Sequence, residues 1–222
     1  MIAVPSLTQS VYEQLRADVL ACRLHPGEKI TINELCQAHD VSLGAVREAL
    51  SRLTAEGLVI CEPQRGFRVA PVSASDLMQL TDARLEVERL CLRRSIAAGD
   101  LVWETKLVSA FYTLSRTPER VSDDPSRISE DWVQAHSHYH QALVDGCDNF
   151  WLLRMRTLLY TQSERYRRLS APLAQDARDL NREHQEILDA ALARDADTAC
   201  DRLAQHLRTT TQILLDSGYV FL

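Results

Sequence analysis

Residues 41–69 read VSLGAVREALSRLTAEGLVICEPQRGFRV, and their pattern decides the architecture of the first third of the chain. Ser42 suits a helix N-cap, because its hydroxyl oxygen can accept a bond from an otherwise unpaired amide one turn on. Val46, Ala49, Leu50 and Leu53 then recur at i, i+3, i+4 and i+7, which predicts a buried stripe. Leu43, Arg47 and Ser51 fall on another face, and Glu48 with Arg52 has the spacing of an i, i+4 charge pair. Gly57 is placed to end the helix as its C′ residue. Leu58–Ile60 and Phe67–Val69 flank Pro63-Gln64-Arg65-Gly66, which predicts a β-hairpin with a basic tip. Upstream, Thr8 is expected to cap a helix running to about Cys22, with Val11, Leu15, Val19 and Leu20 inward, and Pro26-Gly27 breaks it. Thr31-x-x-Glu34 has capping-box spacing for a short helix from Ile32 to His39, and Asp40-Val41 makes the turn. Helix, turn, helix and a two-stranded wing together describe a winged helix-turn-helix, whose second helix enters the DNA major groove.

Ala70-Pro71-Val72-Ser73 reads as a connector, dividing the chain into domains at 1–72 and 73–222. From Ser75 onward the pattern is helical, with no convincing strand. Helices are expected over about Asp76–Ala98, Leu101–Ser115, Ser129–Asp145, Phe150–Leu169, Leu173–Arg194 and Asp197–Asp216. Leu77, Leu80, Val87, Leu90 and Cys91 should share the buried face of the first, and Thr117–Pro125 reads as a polar loop. Six such helices suffice for an antiparallel bundle with its own core. The expected fold class is therefore mostly α, with a small β-wing in the first domain and an all-α second domain.

The same residues resemble a known family. Pro26-Gly27, Leu35, Val41-Ser42, Val46-Arg47-Glu48-Ala49-Leu50, Leu53, Glu56-Gly57-Leu58 and Arg65-Gly66 are similar to the N-terminal domain of GntR-type bacterial transcription regulators. Leu43-Gly44-Ala45 stands where such regulators often carry Arg-Thr-Pro, so a frequent base-reading arginine is replaced. The second region resembles the helical effector domain (FCD domain) of the FadR subfamily, through Arg84-x3-Glu88, His140 with Asn149, Glu183-His184-x2-Ile187 and His206-Leu207. The resemblance implies a homodimer on double-stranded operator DNA, acting as a repressor. Its DNA-contacting surface would comprise Ser42, Leu43, Gly44, Arg47, Ser51, Arg65 and Gly66. Leu43 suits a thymine methyl, and Arg65 beside Gly66 suits the minor groove.

His136 and His140 stand one helical turn apart, so both rings project from one face, whereas His138 is rotated away. His184 and His206 lie on two later helices. Neutral imidazoles suit zinc, nickel and related ions. In the resembling domains three histidines and an aspartate one turn before the first often hold a metal. The implied set here is His136, His140, His184 and His206, with imidazole in place of that carboxylate. Arg84 falls at a core-facing position, where it either pairs with Glu88 or faces the metal pocket and binds a small organic acid through a bidentate fork. Arg154, Arg156 and Arg165 are further candidates for that pocket.

The bulk numbers fit an ordinary soluble chain: 222 residues, 45% hydrophobic and 25% charged, with net charge −6. Phosphate contact would need cations gathered locally, and Lys29, Arg47, Arg65 and Arg68 are the candidates. No apolar run approaches a membrane span, and the start lacks the pattern of a signal peptide, so a cytoplasmic protein is expected. The six cysteines are scattered without a C-x-x-C pair and read as small buried residues. No base or nucleophile motif such as H-E-x-x-H is present, which disfavours an enzyme. The leading expectation is a regulator modulated by an organic acid at a metal-containing pocket. A regulator whose signal is the ion itself, and more remotely a metal-dependent enzyme, are the alternatives.

Overall fold

The computed structural model describes residues 6–170, 173 and 178–219. Its first unit comprises α1 (Leu7–Leu20), β1 (Lys29–Ile30), α2 (Ile32–His39), α3 (Leu43–Ala55), β2 (Val59–Glu62) and β3 (Gly66–Val69). Ser42 caps α3 as expected, its Oγ accepting from the Ala45 amide at 3.3 Å. Val46, Ala49, Leu50 and Leu53 are fully buried against Val11, Leu15 and Val19 of α1. Removing Leu50 to Ala would cost about 2–5 kcal/mol by the usual transfer and cavity terms.

Local details depart from the sequence-based expectation. Ser6 rather than Thr8 caps α1, accepting from the Gln9 amide at 3.2 Å, so Thr8 lies inside the helix. Thr31 precedes α2 but makes no side-chain cap bond, so the capping box does not form. Arg52 turns away from Glu48, donating to Gln9 Oε1 at 2.9 Å and lying 3.7 Å over the Tyr12 ring. A cation over an aromatic face outweighs an exposed i, i+4 pair worth a few tenths of a kcal/mol. The hairpin β2–β3 pairs Val59 with Val69 and Glu62 with Gly66, and β1 adds an unanticipated third strand through Lys29↔Arg68. The wing turns through Gln64 and Gly66, both at positive φ, a region that glycine enters without steric cost.

The second unit is α4 (Ala74–Ala98), α5 (Leu101–Arg116), β4 (Arg120–Val121), β5 (Asp124–Ile128), α6 (Glu130–Ala142), α7 (Phe150–Ser170), α8 (Leu180–Leu192) and α9 (Ala196–Asp216). Ser73, Asp100, Ser129, Asp179 and Asp195 each accept a first-turn amide bond at a helix start. Helix α4 packs on α7 and α9, α8 on α9, and α5 on α6. Leu92, Leu107, Tyr139, Ile187 and Leu203 lie in the shared core.

Three expectations for this unit are corrected. The stretch Thr117–Pro125 is not simply a loop, because Arg120–Val121 pairs antiparallel with Asp124–Ile128. Leu90 is half exposed, since its neighbour Cys91 takes the inward position. Helix α8 begins at Leu180 rather than Leu173, and residues 174–177 of the expected helix lie outside the described residues. Of the cysteines, Cys91, Cys147 and Cys200 are buried, whereas Cys61 is exposed on β2. Among the described residues, no helix is long and apolar enough to cross a membrane.

Candidate metal centre and reading surface

Three helices bring the four histidines together. Helix α6 presents His136 and His140 from one face, α8 supplies His184 and α9 supplies His206, all four buried. One ring nitrogen from each lies within 4.8 Å of all the others. Tetrahedral zinc, with Zn–N bonds of about 2.0–2.1 Å, separates its ligand atoms by about 3.4 Å. His136 Nε2 and His140 Nε2 are already 3.1 Å apart. His138 is exposed, as its rotation off that face required.

The electrostatics favour the ligand form of each ring. Burial pushes the pKa of His136 and His140 well below the ordinary histidine value, and the neighbouring imidazoles add to the shift. Burial also lowers His184 well below it, with His206 contributing. His206 is lowered by burial against the opposing pull of Glu183. All four are therefore neutral near pH 7, with a lone pair to give.

Several ring nitrogens of the cluster also lack hydrogen-bond partners. His136 Nδ1, His140 Nδ1 and both ring nitrogens of His184 are buried without a hydrogen-bond partner. An unpaired buried polar atom costs about 1–3 kcal/mol. A divalent ion offsets that cost at His184, where both ring nitrogens are unpartnered, and the four converging imidazoles fit such an ion. His206 is oriented from behind: its Nδ1–H donates to Glu183 Oε2 at 2.7 Å, which turns Nε2 toward the cluster. Burial would raise the Glu183 carboxyl, but the bonds from His206 and Arg178 prevail and hold it at about 2. Arg178 grips the same carboxylate through two bonds, at 2.8 and 2.7 Å. Trp132 stacks on His136, with ring centroids 4.7 Å apart. The sequence reading missed this supporting set. The i, i+4 spacing of Trp132 and His136 was the available signal for one contact, whereas Glu183–His206 spans two helices.

Beside the histidines lies a cavity of about 40 Å³, lined among others by Arg84, His136, Tyr160, Ser163, Arg167 and His206. Arg84 bonds Glu88 Oε1 through Nε at 3.3 Å and also lines this cavity. Glu88 also accepts from Arg156 Nε at 2.7 Å, so one buried carboxylate serves two guanidiniums. Arg156 points behind the site, donating to the His140 carbonyl at 2.6 Å. Arg154 is exposed beside Trp151, and Arg165 reaches the first unit instead.

On the first unit, Ser42, Leu43, Gly44, Arg47 and Ser51 are all exposed along the start and one face of α3. Arg65 and Gly66 are exposed at the wing tip. Lys29 and Arg68 are cross-strand neighbours, but Arg68 is engaged with the Gly27 carbonyl and with Glu62.

A winged helix-turn-helix joined to a helical domain with a buried polyhistidine centre defines a two-part DNA-binding regulator. Residues 7–69 match the gntR family of bacterial regulatory proteins and residues 79–209 match the FCD domain; the chain belongs to the GntR family and carries an FCD effector domain. It is 39% identical over 215 residues to the HTH-type transcriptional regulator BphR of Paraburkholderia xenovorans, covering 97% of this chain and 88% of that protein. It is 33% identical over 210 residues to the HTH-type transcriptional repressor GlaR of Escherichia coli, covering 91% and 93%. The fold matches that of Escherichia coli McbR/YncC with TM-score 0.79 at 20% identity, over 97% of this chain and all of the other. The chain is thus a DNA-binding transcriptional regulator.

Proposed function

We propose that this regulator responds to a divalent transition metal, zinc or nickel, held by His136, His140, His184 and His206. The observation that carries this reading is the set of four buried, neutral imidazoles converging within 4.8 Å, with unpartnered ring nitrogens on His136, His140 and His184. When bound, the ion supplies positive charge that ties α6, α8 and α9 together. Four imidazoles complete a tetrahedral ion by themselves, which favours the ion as the signal over an acid bound upon it. A ligand shifts DNA affinity only by binding one arrangement of the paired heads better than the other.

In this reading residues 1–72 form the DNA-binding domain and 73–222 the sensing and dimerising domain of a cytoplasmic homodimer. Ser42, Leu43, Gly44, Arg47 and Ser51 face the major groove of operator DNA, while Arg65 and Gly66 approach the minor groove. Repression is the expected direction of control, as the name of GlaR states for that relative. The test measures operator binding by fluorescence anisotropy with chelator-stripped protein and after titration with zinc or nickel alone. A change in affinity on adding metal supports the reading, and equal affinities with and without bound metal refute it.

A second reading rests on Arg84, whose guanidinium lines the cavity beside the histidines. A five- or six-coordinate ion would keep positions for a small organic acid, with Arg84 gripping its carboxylate. Small carboxylic acids should then alter operator binding of metal-loaded protein, and Arg84→Ala should abolish that response while keeping the metal.

A further inference from the structure

Helix α7 is used on two faces at once. Toward the first unit, Gln162 Nε2 donates to the Glu56 carbonyl at 2.5 Å and Arg165 to the Ala70 carbonyl at 2.7 Å. Thr161 Oγ1 accepts from Arg16 of α1 at 3.4 Å, and Arg16 also pairs with Glu56 at 2.7 Å. Toward the histidines, the same turns of α7 present Tyr160, Ser163, Glu164 and Arg167 to the small cavity.

A second, larger space of about 550 Å³ lies between α1 and the α6–α7 surface, lined among others by Glu13, Arg16, Ser137, Gln141, Tyr160 and Glu164. Tyr160 and Glu164 thus border both spaces. The Tyr160 ring lies 6.3 Å from that of His140, centroid to centroid. It is flanked by the guanidiniums of Arg84 and Arg156, at 4.8 and 5.5 Å. Glu164 is fixed by Arg167 and Arg168. The partition between the histidine cavity and the interdomain cleft is therefore one layer of side chains, and one wall of the cleft is the DNA-reading unit itself.

We infer that this cleft is the route by which solutes reach the four histidines, and that docking of the reading head on α7 restricts it. The inference rests on the histidine cavity being the regulatory site. Exchange at the histidines then requires the head to move off α7, breaking Gln162–Glu56 and Arg16–Thr161. Site occupancy and head position are linked, and linkage acts equally in both directions. An occupant that resists undocking changes how freely two heads reach their half-sites.

The test needs no metal. Metal-free full-length protein is treated with diethyl pyrocarbonate, which carbethoxylates accessible imidazoles, and modification is followed at each histidine by peptide mass spectrometry. Exposed His25 and His138 serve as internal references. In Arg16→Ala/Gln162→Ala, the rates at His136, His140, His184 and His206 should rise about tenfold over wild type, the gain in undocked heads from losing two net hydrogen bonds. The reference rates should stay fixed. Tyr160→Ala should raise the four rates little by itself, because the docked head still covers the cleft, and should raise them further in the latch background. Unchanged rates in the latch variant would overturn the inference. So would a rise accompanied by faster alkylation of buried Cys91 and Cys147, because the whole bundle would then have loosened. Elemental analysis showing that the protein never retains metal would refute the metal reading separately, leaving this accessibility test intact.

Discussion

His206 Nδ1 donates to Glu183 Oε2 across 2.7 Å, and this bond between neighbouring helices points the opposite ring nitrogen at three other imidazoles. Glu183 is in turn held by Nε and Nη2 of the Arg178 guanidinium. A carboxylate behind an imidazole fixes its tautomer and raises its basicity as a ligand.

Glu183→Gln should therefore keep the fold and weaken metal affinity by about 10–100-fold, as loss of such supporting carboxylates does elsewhere. Competition against a chelator of known affinity measures it. Equal affinity in the two proteins would show that the carboxylate plays no part in ligation.

Loss of a ligand should be more severe. His140→Ala and His184→Ala should each abolish stoichiometric metal, about one ion per chain in wild type, by elemental analysis. Operator binding by the separate N-terminal unit should persist in both variants but no longer respond to added metal. A variant that retains full metal loading would remove that residue from the site.

Arg47→Ala should weaken operator binding by about 1–3 kcal/mol if the side chain reads a base, with relaxed specificity at one position. A phosphate contact would instead lower affinity almost equally for all sequences and reduce the salt dependence. Arg65→Ala should act through the wing and leave the base preference of α3 unchanged. Anisotropy titrations on operator and scrambled duplexes at two salt concentrations separate these outcomes.

Tyr139 is fully buried, and its hydroxyl donates to the His184 carbonyl at 2.8 Å. Tyr139→Phe should destabilise the protein by about 0.5–1.5 kcal/mol, because one buried hydrogen bond is lost while the carbonyl keeps its helical partner. The urea midpoint should fall with an unchanged slope. A midpoint equal to wild type would show that the carbonyl finds another donor.

Paired reading heads should appear as a dimer in solution and a two-fold symmetric footprint on DNA. Light scattering at micromolar concentration checks the mass, and a monomer both free and on DNA would refute the assembly.

The sequence by itself determined the α3 stripe of Val46, Ala49, Leu50 and Leu53, the hairpin around Arg65-Gly66 and the six helical segments of the second unit. Those features depend on periodicity and turn chemistry, which are local and survive in a linear string. The pairing of His136 with His140 was legible for the same reason. Their meeting with His184 and His206 followed from family resemblance alone, since no spacing rule joins residues on three helices. Tertiary packing decided the rest. Arg52 chose Tyr12 over Glu48 because α1 brought an aromatic face within reach, Cys91 rather than Leu90 turned inward on α4, and Lys29–Ile30 became a strand only because β3 offered an unpaired edge. Glu183 became a support for His206, and Tyr160 a partition beside His140, through contacts between side chains far apart in sequence. Such contacts are fixed by which surfaces the assembled helices present to one another, and that information exists only once the chain has folded.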